Sequence, residues 1–388
     1  MDIDLGKNKN TIKTEYAYVM ASTLNQMVNY IPLKMKLEGI DLTTKYNVTL
    51  IDKDNNKVIE NDKWDKYFEN FFKGQIQDVL IEQADWLSVK KVVASLKINF
   101  KNELKPIFWN ITGGQRPFLM AVWEFTKDRP NDIIAYLEGN SGQIVLTHGK
   151  EDRIPYPIEG LTIKIALQLM GYNIKNLNNS TITSLDKYVE LWKLYINPKS
   201  KALREAFVKS NTKSGDIEKV KSHIQDTTLH FILDDRKDQS YPFGYILEDL
   251  VVAVLQKEFE NKIGEVAHSI KLKFKNELLN KEVDNKTLDE FDILLVTKRG
   301  RLYNFECKSG GMSGDVAKST KYSTYAIAGV YGKPILITPL IKREIDDYTN
   351  LSDTFKYIKP AIRSAKRATL EVWGIDEIVG KIKNELGI

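Results

Sequence analysis

Short apolar runs of strand length alternate along the chain with longer segments whose apolar residues recur at helical spacing. The first run, YAYVMAS at 16–22, predicts a strand; a short polar turn and TLNQMVNYIPLKMKL predict a helix after it. YNVTLI at 46–51 repeats the strand signal, and 63–104 carries aromatic and apolar residues at helical spacing with Lys and Glu between them. PIFWNIT at 106–112 predicts a buried strand, Gly113 and Gly114 a tight turn, and RPFLMAVWEF a helix with Pro117 near its start. DIIAYLEG and QIVLTHG predict two further strands around a turn at 139–142. Strands alternating with helices predict an α/β domain with a largely parallel sheet over 1–150.

From 151 the pattern changes. GLTIKIALQLMGYNI and SLDKYVELWKLYI predict two helical segments with an Asn-rich join at 176–179. Residues 203–239 begin helix-like and become more charged, with LHFILDD at 229–235 as a strand candidate, so 151–239 is expected to be a mainly helical linker. A third region, 240–388, opens with the strongly apolar helix YPFGYILEDLVVAVLQKEF and the strand VAHSIKLKF. Then comes LDEFDILLVTKRGRLYNFECKSG at 288–310, two apolar runs around the turn TKRGR, predicting a β-hairpin. Gly310, Gly311 and Gly314 predict a flexible loop, DVAKSTKYSTYAIAGVYG a helix, KPILITP a buried strand, and the tail amphipathic helix.

Composition adds limits to this picture. The 388 residues exceed one ordinary domain, and 42% hydrophobic with 28% charged residues is the balance of a soluble globular protein. A formal net charge of +5 permits a nucleic-acid partner without requiring one. One cysteine excludes an intrachain disulfide framework and fits a reducing compartment. No apolar stretch is long enough to span a bilayer and the start MDIDLGKNKN lacks the pattern of a signal peptide, so a cytoplasmic location is expected.

The hairpin carries the chemistry. Residues two apart on a strand project to one face, so Glu306 and Lys308 point together while Cys307 turns towards the core. Asp292 lies across the turn, and Glu248 sits on the preceding helix. Carboxylates are hard oxygen ligands for Mg²⁺ or Mn²⁺, and an ion so held would activate water against a phosphodiester, with Lys308 neutralising charge that builds on the phosphate. The metal set expected here is Asp292, Glu306 and Cys307; the catalytic set is Glu248, Asp292, Glu306 and Lys308. Against this stands the plainer reading of gatekeeper charges at an exposed strand edge.

G-Y-I-L-E, F-D-I-L-L and F-E-C-K-S-G together resemble the helix acid, the first strand acid and the E-x-K strand of PD-(D/E)xK nucleases, the restriction-endonuclease-like superfamily. Phe291 stands where the nominal motif has proline. The resemblance implies metal binding by Asp292 and Glu306, a catalytic role for Lys308 and metal assistance from Glu248, with polar contacts from the following helix at Lys318 or Lys321.

A second constellation is WNITGGQRP at 109–117. A buried strand ending in Asn110 and Thr112, then two glycines and a helix N-terminus, presents backbone N–H groups where a phosphate could sit. Its plainer reading is a tight βα turn. The first βα turn adds Ser22, Thr23 and Asn25 at the same edge if the two strands are parallel neighbours. The pattern Asn110, Thr112, Gly113, Gly114, Gln115, Arg116 is similar to the CARF domain of CRISPR-associated proteins. That resemblance implies a Rossmann-like fold, homodimerisation and binding of a cyclic oligoadenylate, with Arg116 near a phosphate. CARF domain, helical linker and PD-(D/E)xK nuclease in that order resemble the CRISPR ancillary nucleases activated by cyclic tetra-adenylate, over nearly the whole chain.

The four histidines, His148, His223, His230 and His268, form no paired metal motif, and no Arg precedes a His by five residues as a HEPN ribonuclease would require. Arg363, Lys366 and Arg367 make a basic helix that either touches a phosphate backbone or is a solvated face. The combined expectation is a metal-dependent nuclease, cutting DNA or RNA as single strands and controlled by the N-terminal domain. Two alternatives stay open: a ligand-responsive regulator with an inactive nuclease-like domain, and a repair or restriction-type nuclease whose N-terminal domain docks a protein.

Overall fold

The structure, a computed structural model, describes residues 13–387 apart from 22, 24, 36, 53–56, 59–66, 70, 73–74, 83–86, 140–141, 149, 156–158, 179–181, 183, 275–288, 311, 313 and 357. The chain forms two compact units, Met1–Glu159 and Gly160–Ile388.

In the first unit the described elements are β1 (Thr14–Ala21), α1 (Met27–Lys34), β2 (Ile40–Asp52), β3 (Lys57–Val58), β4 (Ile76–Glu82), α2 (Val89–Asn99), β5 (Ile107–Asn110), α3 (Arg116–Thr126), β6 (Ile133–Glu138), β7 (Gln143–His148) and β8 (Lys150–Pro155). The sheet runs β4-β2-β1-β5-β6-β7-β8, with β3 paired to the end of β2. β4, β2, β1, β5 and β6 are mutually parallel; β7 and β8 extend the sheet antiparallel. The central strands read as unbroken apolar runs because both sheet faces are covered: all four residues of β5 are buried. Phe118, Ala121, Val122 and Phe125 of α3 and Val92 and Leu96 of α2 pack with Trp109, whose ring meets Phe100 and Phe125 edge-on at 5.3 and 5.4 Å. The segment expected to be helical over 63–104 contains β4: IQDVLIE alternates, burying Val79 and Ile81 and exposing Leu80, which is a strand period.

The chain goes from β1 out to β4 on one side and returns to β5 on the other. β1 and β5 are therefore neighbours whose connections leave in opposite directions, a topological switch point, and ligands of such sheets bind outside the carboxyl ends of the strands there.

The second unit contains α4 (Ile163–Leu169), β9 (Tyr172–Asn178), α5 (Leu185–Ile196), α6 (Lys201–Lys209), α7 (Ile217–Lys221), α8 (His230–Asp234), α9 (Pro242–Glu258), β10 (Glu265–Phe274), β11 (Asp289–Val296), β12 (Leu302–Cys307), α10 (Gly314–Ala328), β13 (Gly332–Thr338), α11 (Lys342–Asp346), α12 (Ile358–Arg367), β14 (Glu371–Gly374) and α13 (Ile378–Leu386). Its mixed sheet has the order β14-β13-β12-β11-β10-β9, antiparallel from β9 to β12 and parallel from β12 to β14. α9 is apolar nearly all round because it is enclosed: Phe243, Leu250 and Val254 share one core with Tyr195 and Phe207 of α5 and α6 and with Phe305 and Ile335 of the sheet.

Residues 160–239, read from sequence as a linker, fall within this second unit. The stretch expected as one helix at 160–174 is two elements, since Gly171, at φ +84°, ends α4 and the chain turns into β9, which pairs with β10. LHFILDD, a strand candidate, is helical: α8 buries Ile232 and Leu233 on one side while Phe231 stays exposed.

Candidate functional site

The hairpin of β11 and β12 pairs Ile293 with Phe305 and Leu294 with Asn304, so the next position in register sets Asp292 opposite Glu306. The turn is closed by Thr297 N–H donating to Arg301 O at 2.9 Å and Gly300 N–H donating to Thr297 O at 3.0 Å. Two residues past Glu306, Lys308 lies on the same face. Its Nζ is 2.6 Å from Glu306 Oε1 and 3.7 Å from Asp292 Oδ2. The sequence expectation that these three groups converge holds in the structure.

Like charges directly opposite on paired strands destabilise each other, and that shows in the titration of the acids. Burial first, and the Glu306 carboxylate second, push Asp292 above the ordinary carboxylate range, against the pull of Lys308 and of the Cys307 N–H, which donates to Asp292 Oδ2 at 2.8 Å. Glu248 is pushed further up by burial and then by Asp292 and Asp249. Burial pulls Lys308 down, but Asp292 and Glu306 outweigh it, so the ammonium is held charged above its usual range. The two carboxylates thus favour the charged form of Lys308.

Cys307 was placed in the metal set. Its side chain instead belongs to the core, among Phe305 and Ile337, and burial raises its thiol well above the usual range. A thiol so held is a poor ligand, and the contact position 307 makes with the site is through its main chain. Among the described residues no three His, Cys, Asp or Glu side chains are grouped to cage a metal. Mg²⁺ and Mn²⁺ need less than a cage: one or two carboxylates, completed by water and substrate phosphate, suffice for Mg²⁺. The Asp292 and Glu306 pair is a donor set of that size.

Asp292 and Lys308 line a cavity of about 1080 Å³, together with Glu248, Ser309, Asn211, Tyr241 and Tyr245 among others. Asn211 Nδ2 donates to Ser309 Oγ at 2.6 Å, and its Oδ1 is buried with no partner among the described residues. Neither Asn211 nor the two tyrosines stood out in sequence, because nothing local marks a residue that meets the site from another element. Behind Glu248, Asp249 is buried and receives a bidentate pair from Arg236, Nε to Oδ2 at 2.8 Å and Nη2 to Oδ1 at 2.9 Å. Thr320 of α10 donates to Glu306 Oε2 at 3.3 Å. Lys321, a candidate for polar contacts, instead ties α10 to Thr369 Oγ1 at 2.5 Å, while Lys318 is exposed. Arg363, Lys366 and Arg367 are exposed on α12, whose opposite face buries Ile358, Ala361, Ile362 and Ala365.

In the first unit both predicted turns meet at the switch point. A Cβ built on Gly113 would lie 3.0 Å from Thr23 Cβ, and one on Gly114, at φ +88°, 2.8 Å from Ala21 Cβ. Glycine is thus needed at 114 for both conformation and space. Gly114, Gln115 and Arg116 are exposed at the N-terminus of α3, which no side chain caps, and Thr23 is half-buried beside them. Ser22 lies outside the described residues. Asn110, by contrast, is fully buried: Nδ2 faces Tyr18 Oη at 2.8 Å, Val28 O at 2.9 Å and Asn29 Oδ1 at 3.1 Å, while Oδ1 accepts from Thr112 N–H at 3.2 Å and Oγ1 at 2.7 Å. Thr112 Oγ1 in turn accepts from Leu137 N–H at 2.8 Å. Asn25, also buried, accepts from Met27 N–H at 3.1 Å at the start of α1. Asn110, Thr112 and Asn25 hold the turns in place, and Thr23, Gly114, Gln115 and Arg116 lie at the carboxyl edge of β1 and β5. Tyr18, Gln26 and Asn29, which complete this buried network, are isolated polar groups within apolar runs and carried no signal.

No family model matches the chain, and no curated protein sequence does either. In structure it is similar to protein VC1899 from Vibrio cholerae, with a TM-score of 0.65 at 13% identity over 96% of this chain and 97% of that one. It is likewise similar to Can2 from Sulfobacillus thermosulfidooxidans, solved in complex with cyclic tetra-adenylate, with a TM-score of 0.62 at 13% identity over 96% of this chain and 100% of Can2. At such identities the likeness is one of fold, and it runs over nearly the whole chain.

Proposed function

We propose that the chain is a metal-dependent nuclease of type III CRISPR defence, hydrolysing phosphodiester bonds of single-stranded DNA or RNA and switched on by a cyclic oligoadenylate bound to its first unit. The observation that carries the reading is the convergence of Asp292, Glu306 and Lys308 on one side of a hairpin, with Asp292 and Lys308 lining a large cavity. Two carboxylates set opposite each other cost stability, and a fold that keeps them has a use for them.

Asp292 and Glu306 would hold Mn²⁺ or Mg²⁺, which supplies a polarised phosphoryl oxygen and a more acidic water. Lys308 offsets charge developing on the phosphate. Glu248, the most strongly protonated acid of the set, stands within the field of Asp292 and is available to hold a proton at the back of the site. In the first unit the uncapped N-terminus of α3 and the Gly113–Gly114 turn suit the phosphates of a nucleotide ring, and the presence of cyclic tetra-adenylate on Can2, a protein of like fold, favours that ligand. A two-fold ring fits an isologous dimer, each copy offering one such turn.

The test is cleavage of labelled single-stranded DNA and RNA in Mn²⁺ with saturating cyclic tetra-adenylate. Cleavage by the wild type that Glu306→Ala abolishes supports the assignment; undiminished cleavage by the variant removes the site from the reaction.

A further inference from the structure

The cavity wall that carries Glu248 also carries two tyrosines, Tyr245 on the same helix and Tyr241 just before it. Tyr241 is 54% exposed and Tyr245 39% exposed, both line the cavity, and Tyr245, three residues before Glu248, shares its helix face. Tyr241 adopts φ +57° and ψ +55°, the left-handed region, at the residue before α9 begins. A bulky side chain there is an outlier whose strain the surrounding fold must sustain, and such strain gathers at functional sites. Tyr245 has the Arg236 guanidinium over its ring at 5.9 Å, and Arg236 is itself pinned by Asp249. The ring is thus held at a fixed angle with much of its surface left to the cavity.

Charge on the cavity wall argues in the same direction. Lys209, Lys308 and Lys356 are matched against Glu248, Glu290, Asp292 and Asp353, so away from the ion the lining has no excess of positive charge. Phosphate contacts at the ion and at Lys308 leave the bases unheld, and exposed aromatic faces hold any base.

We infer that Tyr241 and Tyr245 are specificity-determining residues that stack on bases of a single nucleic-acid strand and so set which phosphate reaches Asp292 and Glu306. The inference rests on the nuclease reading. A base that stacks on a ring in the cavity must first leave its own duplex stack, which a single strand permits and a duplex does not.

The experiment compares wild type, Tyr245→Leu, Tyr241→Leu and the ring-preserving Tyr245→Phe on a labelled single-stranded oligonucleotide, with activator and Mn²⁺, mapping KM, kcat and cut positions. Stacking lost equally from ground and transition states raises KM by about tenfold or more with kcat little changed. The cuts spread over neighbouring phosphates, and Tyr245→Phe recovers most of the loss. An abasic site at the stacked position imposes the same penalty on the wild type and little further penalty on Tyr245→Leu. Wild-type cleavage with unaltered KM and cut positions in both leucine variants overturns the stacking assignment and leaves the nuclease standing. A wild type that cuts nothing overturns both.

Discussion

Replacing Lys308 by Met removes the cation that stands between two opposed acids. Its Nζ is 2.6 Å from Glu306 and 3.7 Å from Asp292, and the side chains concerned are only 29%, 15% and 21% exposed, in the order Lys308, Glu306, Asp292. Breaking one partner of a buried pair costs about 3–5 kcal/mol; with partial exposure to solvent the expected cost is about 2–4 kcal/mol at pH 8. For a unit of this size that is a fall of roughly 4–16 °C in Tm. The deficit shrinks as the pH is lowered. Asp292 already titrates above its unfolded value and rises further without Lys308, so the folded state keeps a proton that the unfolded chain gives up, and stability is lost as pH rises through the folded pKa. Thermal denaturation at pH 5.5 and pH 8 reads this directly. Mn²⁺ should also raise the Tm of the variant more than that of the wild type, because the ion no longer competes with the ammonium; at a hundred times Kd, binding contributes about 2.7 kcal/mol. Equal stability of the two proteins at pH 8 in chelator, or equal Mn²⁺ shifts, would refute the reasoning.

Mn²⁺ affinity of the wild type is expected to climb as pH rises through about 6, since Asp292 is held above the ordinary carboxylate range and must lose its proton to bind; calorimetry in buffers of different ionisation heat would measure the protons released. Asn110→Ala leaves Tyr18, Val28 and Thr112 without their partner inside the first unit, costing about 2–4 kcal/mol in urea denaturation, so its loss of response to activator reports on the fold and not on a ligand contact. Gly114→Ala places a methyl 2.8 Å from Ala21 Cβ at φ +88°, destabilising the first unit by about 1–3 kcal/mol and weakening cyclic tetra-adenylate binding measured by titration. Arg236→Leu strands the buried Asp249 carboxylate and lowers the stability of the second unit by about 3–5 kcal/mol, visible as an earlier denaturation midpoint.

The hairpin of β11 and β12 was legible because a period of two and a five-residue turn leave a single register, and register alone sets Asp292 against Glu306. The meeting of two turns in the first unit was legible for a similar reason, as parallel neighbouring strands bring Thr23 and Gly113 to one edge. Contacts between distant segments were not. Nothing in YNIKN announces that β9 pairs with β10 about a hundred residues later, and the Asn-rich composition argued for a loop. IQDVLIE lost its strand period within a long helical window. Asn110 looked like a ligand contact because its type and place fit one, whereas burial turned it into the centre of a polar network with Tyr18 and Asn29. The alternation that assigned the Cys307 side chain to the core holds, which leaves position 307 only its main chain to offer the site. Among the described residues no helix is long and apolar enough to cross a membrane, as the hydropathy pattern implied.

The central claim is that ligand binding at the first unit governs cleavage at the second. The direct measurement is the initial rate of single-strand cleavage in Mn²⁺, titrated with cyclic tetra-adenylate, alongside its binding to the same preparation. A coupling of about 1–3 kcal/mol predicts a rate that rises about 5- to 150-fold as the site fills. A rate that stays constant while cyclic tetra-adenylate binds, or a protein that cleaves freely and does not bind it, would contradict the account.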